Sequence, residues 1–214
     1  MRRTAALLLS ALCLLFCACE NDVYEIDLSR ALMENGEYAY PGLEWGLSPA
    51  DAEALLGFAI VEQTPAALTT PSPGAKASPP VVRILKPEDD EVRIKLNGNY
   101  GTVRFQFMDD RLISVTAVFK DGQTGLERNN LDKLLEKTNA QLREQFGEPA
   151  SENLDQPAGE SSKLTSYYRW EGTEDNDPRT RNSLLSLGYV KDADGKIISV
   201  SVMVVKANAA VQGS

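Results

Sequence analysis

The 214-residue chain contains no histidine. That absence removes His general bases, Ser–His and Cys–His nucleophiles, and imidazole-ligated zinc or iron in one step. Cysteine is scarce and confined to one end. Cys13, Cys17 and Cys19 are the only three, so residues 20–214 hold no disulfide. Positive charge is short as well: 22 Lys and Arg face 31 Asp and Glu, a formal net charge of −9. A nucleic-acid partner needs clustered cations, and this balance argues against one. Aromatic residues make up only 7%, thin for the sugar-stacking cleft of a glycosidase. Neither Gly-x-Ser-x-Gly nor the phosphate-cradling Gly-x-x-x-x-Gly-Lys occurs. What remains, 43% hydrophobic and 25% charged, is an ordinary globular composition at a length that buries a sizeable core.

The first residues carry an address. Arg2 and Arg3 precede an apolar run from Ala5 to Phe16, broken only by Ser10, and polar Glu20-Asn21-Asp22 follows. A positive end, a short apolar stretch and a small-residue exit make a secretory signal peptide. The run falls short of the roughly 20 residues a permanent spanning helix needs. Phe16-Cys17-Ala18-Cys19 resembles the lipobox of bacterial lipoproteins, with Phe16 where that family usually has Leu. The resemblance implies that residues 1–18 are cleaved and that Cys19 takes a diacylglycerol. A plain secreted protein cut near Ala18 is the alternative.

Beyond the signal, residues 19–40 are polar and acidic and read as a tether. Pro65, Pro71, Pro73, Pro79 and Pro80 mark 62–80 as a semi-extended loop. Ser48-Pro49-Ala50-Asp51 supplies a cap, a first-turn proline and an acid for a short helix that Gly57 ends. Three alternating runs follow, on Val92–Leu96, Val103–Phe107 and Ile113–Phe119, with turns at Asn97-Gly98-Asn99 and Asp109-Asp110. The scheme then repeats. Leu131, Leu134, Leu135, Thr138, Leu142 and Phe146 keep helical spacing up to Gly147, and runs at Leu164–Trp170, Ser183–Tyr189 and Ile197–Val204 complete it. The expected fold class is α+β: two helix-plus-three-stranded antiparallel meander units, 41–122 and 123–207, before a tail at 208–214.

Trp45-Gly46-Leu47-Ser48-Pro49-Ala50-Asp51 with Leu56-Gly57, echoed by Phe146-Gly147-Glu148-Pro149, resembles the entry segments of small exported bacterial modules. These include the small lipoprotein of the outer-membrane β-barrel assembly complex and the β-lactamase inhibitory proteins. Such modules bind proteins and do no chemistry, so the resemblance implies a non-catalytic role.

Tyr167, Tyr168, Arg169 and Trp170 lie on one strand, and alternation separates Tyr168 and Trp170 from Tyr167 and Arg169. Tyr167, Arg169 and Trp45 are the candidate partner-binding residues, of types enriched at binding hot spots; Trp45 also suits an anchor for the helix that follows it. The acidic clusters at 88–91, 174–177 and 192–195 do not match calcium-loop spacing, although 174–177 is acidic enough for weak calcium binding. The expectation is a lipid-anchored, extracytoplasmic protein-binding or scaffolding module at the cell membrane, with an envelope protein as partner. No catalytic residue, metal, cofactor or nucleic acid is expected. An inhibitor that inserts loop 62–80 into an enzyme, a hydrolase using carboxylates alone and a purely structural envelope role are the alternatives.

Overall fold

The computed structural model describes residues 23–63, 81–121, 129–158, 162–173 and 181–206. The signal segment with Cys19, the loop 64–80, the cluster 174–177 and the tail lie outside the described residues.

The strands are β1 (Val23–Glu25), β2 (Ile60–Glu62), β3 (Val82–Pro87), β4 (Arg93–Leu96), β5 (Asn99–Met108), β6 (Arg111–Lys120), β7 (Ser151–Pro157), β8 (Leu164–Thr173), β9 (Arg181–Lys191) and β10 (Ile197–Lys206). Two α-helices occur among the described residues, α1 (Pro49–Leu56) and α2 (Leu131–Phe146). This overturns the expected α+β fold of two helix-plus-three-stranded units. The ten strands form one mixed sheet in the order β1-β4-β5-β6-β10-β9-β8-β7, with β3 also on β5 and β2 on β3. The element that joins the halves is the β6–β10 ladder, from Ser114↔Val205 to Lys120↔Ser199. Once two antiparallel edges pair in this way, their apolar faces become one surface and the backbone groups of both edges are satisfied.

Four strands escape the pattern reading for local reasons. β1 and β2 are three residues each, too short for a visible alternation. β3 carries its side chains in the order Val-Arg-Ile-Leu-Lys-Pro, in which no clean period survives. β7 (Ser-Glu-Asn-Leu-Asp-Gln-Pro) is an edge strand with no buried residue, so it has no apolar face to display.

The helices start where the sequence says they should. Ser48 Oγ accepts from the Asp51 amide, and Gly57 closes α1 in the left-handed region at φ 78°. Asn130 Oδ1 accepts from the Lys133 amide at the head of α2. Leu131, Leu134, Thr138 and Leu142 form its buried stripe. Asn129 fixes the entry of α2 to the sheet: it accepts from the Tyr100 amide at 2.9 Å and donates to the Tyr100 and Lys120 carbonyls at 2.7 and 2.8 Å.

α2, α1 and the segment around Ile26–Leu43 all lie on one face of the sheet, here the covered face. Phe105, Phe107, Phe119, Leu185, Leu187, Trp170 and the alternating valines of β10 meet Leu134, Leu142, Leu28 and Ala52 there. The stretch expected as a tether supplies Ile26, Leu28, Ala31, Tyr38 and Ala39 to this core. Gly101 shows how close the packing is. A Cβ there would stand 2.5 Å from the Val118 carbonyl oxygen and 2.7 Å from the Phe119 ring.

Candidate binding face

On the opposite face, the apolar residues Val118, Leu184, Val190, Met203 and Val205 stay outside the buried hydrophobic core. Directly opposed residues share a face, so the ladders define its surface row by row. One row runs Arg104–Thr116–Met203–Ser186–Arg169–Ser151. Its neighbour runs Thr102–Val118–Ser201–Gly188–Tyr167–Asn153. Outside them lie Gln106–Ser114–Val205–Leu184–Glu171 and Lys120–Ser199–Val190–Thr165–Gln156.

The middle three strands, β6, β10 and β9, contribute twelve residues to these rows, and Lys120 alone among them is charged. In a chain that is 25% charged, a solvated face of that size would carry about three. Five of the twelve are apolar: Val118, Met203, Val205, Leu184 and Val190. Apart from Lys120 the rest are Ser, Thr and Gly, so the centre is low in relief as well as in charge. Such a surface is neither a core nor a typical water-facing sheet.

The candidate residues from the sequence divide over this geometry. Tyr167 and Arg169 stand on the open face, the Arg169 guanidinium 4.9 Å from the centroid of the Tyr167 ring. Asn153 donates to the Tyr167 hydroxyl at 3.4 Å. Their strand neighbours point the other way. Trp170 is 2% exposed and donates from Nε1 to the Gly147 carbonyl at 2.9 Å, tying β8 to the end of α2. Tyr168 lies under the Arg143 guanidinium of α2, and burial raises its hydroxyl pKa. Trp45 is not on the open face. Its Nε1 donates to the Tyr38 carbonyl at 3.0 Å, and its neighbours are hydrogen-bonded to β6: the Gly46 amide donates to the Leu112 carbonyl and the Leu112 amide to the Leu47 carbonyl. Pattern reading had no means of finding Thr116, Ser201, Ser186 and Gly188, because small polar residues acquire meaning only once the ladder sets them side by side.

Beside Trp45 an open groove of about 560 Å³ is lined by Met33, Asn35, Glu37, Glu44, Arg111 and Lys206. Glu37 is ion-paired with Lys206, whose ammonium is half-buried and whose pKa is lowered by that burial. No cluster of three or more metal-ligating side chains occurs among the described residues. No helix there is long and apolar enough to cross a membrane. No family model matches the chain, and no curated protein matches it.

Proposed function

We propose that this chain is a non-catalytic, protein-binding module of the bacterial cell envelope, held to the extracytoplasmic side of the membrane by a lipid on Cys19. The open sheet face is the surface that takes the partner. The observation that carries the reading is the uncharged, low-relief centre on β6, β10 and β9, flanked by the stacked Tyr167–Arg169 pair. Weakly polar surface costs little to desolvate, whereas a rim of rigid aromatic and guanidinium groups supplies anchors. Inhibition of an extracytoplasmic enzyme is the same reading with an active site as the target.

Two variants test the two parts. Met203→Glu places a charge at the middle of the face. It is expected to abolish recovery of a stoichiometric envelope partner while leaving the thermal midpoint unchanged; full recovery contradicts the assignment of the face. Cys19→Ser is expected to release the chain from membranes and to end its labelling by a radioactive fatty acid. Unchanged retention contradicts the anchor.

A further inference from the structure

Three cations of the open face are free of carboxylates among the described residues, as Lys133 and Lys137 on the exposed side of α2 also are. Arg83, Lys86, Arg143, Lys191, Lys196 and Lys206 each sit against a carboxylate of the same chain. Among the described residues no ion pair involves Arg104, Lys120 or Arg169, although acids outnumber bases in the chain by 31 to 22. The alternation of the ladders also puts Lys86, Arg93 and Lys95 on this face, with Glu25, Glu171, and the Asp89 and Asp90 carboxylates beside Lys86 and Arg104. Six cations against four anions give +2 on a surface of a chain whose total is −9.

The placement is as informative as the sign. Arg104 and Arg169 belong to the same transverse row, with β6, β10 and β9 between their strands. Four strand spacings separate them by about 19 Å. Arg169 is held over the Tyr167 ring, so part of its freedom is lost before any partner arrives. Arg104 is exposed.

We propose that the partner is a protein surface rich in carboxylates, gripped at two points by Arg104 and Arg169, with an uncharged middle that lies on Met203, Thr116 and Ser201. This rests on the reading of the open face as a protein-binding surface. A protein fits better than an anionic bilayer because the cations flank a weakly apolar centre instead of forming the dense polybasic cluster that headgroups attract. Long-range attraction between such surfaces raises the association rate and weakens steeply with salt.

The test uses the full-length, membrane-anchored chain with a photoreactive residue at Ser201, irradiated in envelopes of the source cells. It is run in the unaltered background, with Arg104→Glu/Arg169→Glu, and with Lys133→Glu/Lys137→Glu, which makes the same change in net charge on the exposed side of α2. The expected result is a protein adduct in the first and third backgrounds and a loss of about tenfold or more in the second, with the yield falling between about 50 and about 200 mM salt. Poly-L-glutamate is expected to compete and poly-L-lysine is not. Equal adducts in all three backgrounds would overturn the acidic partner while leaving protein binding by the face intact. An absence of any protein adduct would overturn both. Sedimentation of the purified chain with phosphatidylglycerol vesicles, lost in the Arg104→Glu/Arg169→Glu form, would overturn the protein partner in favour of a lipid surface.

Discussion

The two faces of the sheet are built from the same strands, residue by alternate residue, yet they obey different rules. On the covered face Phe105, Phe119, Leu187 and Trp170 are almost fully enclosed, and α2 is pinned over them by Asn129 at one end and the Trp170–Gly147 hydrogen bond at the other. On the open face Thr116, Ser201, Met203 and Val118 are half-buried. Volume and shape are constrained on one side; on the other, charge is held low and bulk is held small. Stability therefore resides in one face, and the other is free to serve a partner.

The largest effect should separate the faces at adjoining positions. Phe105→Ala is expected to cost about 3–5 kcal/mol in urea unfolding, since it leaves a cavity in a close-packed layer. Thr116→Ala, one residue along the partner strand from Val115, which opposes Phe105, should stay within about 0.5 kcal/mol. Equal costs would erase the distinction.

Two glycines sharpen the comparison at smaller scale. Gly101→Ala pushes a methyl group against the Val118 carbonyl and the Phe119 ring and is expected to cost about 1–3 kcal/mol. Gly188→Ala on the open face meets Ser201 Oγ at 3.0 Å. That hydroxyl can rotate away, so the change should remain within about 0.5 kcal/mol. Thermal midpoints of the two variants decide the matter.

The smallest expected effect is electrostatic, at the sheet edge. Lys191 Nζ donates to Asp155 Oδ1 at 2.8 Å, and this hydrogen bond holds the carboxyl below its usual range. A carboxylate whose folded pKa is lowered contributes stability above its unfolded value near 3.8, and the contribution is lost as pH falls through the folded value. Urea midpoints at about pH 5 and about pH 2.5 should show a decline that is slightly shallower in Asp155→Asn. Both groups are solvent-screened, so the difference will be slight.

Much of the local structure was legible in the sequence. The Ser48 cap, the Asn97-Gly98 turn and the alternation of β5, β6, β8, β9 and β10 all rest on short-range chemistry that a chain displays along its length. The overall architecture was not, because nothing within β6 or β10 announces that the two will pair with each other. Ile26 and Leu28 were hidden by their acidic neighbours, and β7 by its lack of an apolar side. At the candidate site, alternation alone separated Arg169 from Trp170. The neutral centre required the ladder, since Thr116, Met203 and Ser186 are far apart in the chain and unremarkable one by one.

The central claim, that the open face is occupied in the cell envelope, can be read from methionine oxidation. Met203 stands at the middle of the open face and Met33 beside the Trp45 groove, both half-exposed. Their hydroxyl-radical oxidation rates would be compared between the purified chain and the chain in intact envelopes, by mass spectrometry of the peptides. The account predicts that Met203 slows several-fold in envelopes while Met33 keeps its rate. Equal rates for Met203 in both settings, or slowing of Met33 alone, would contradict it.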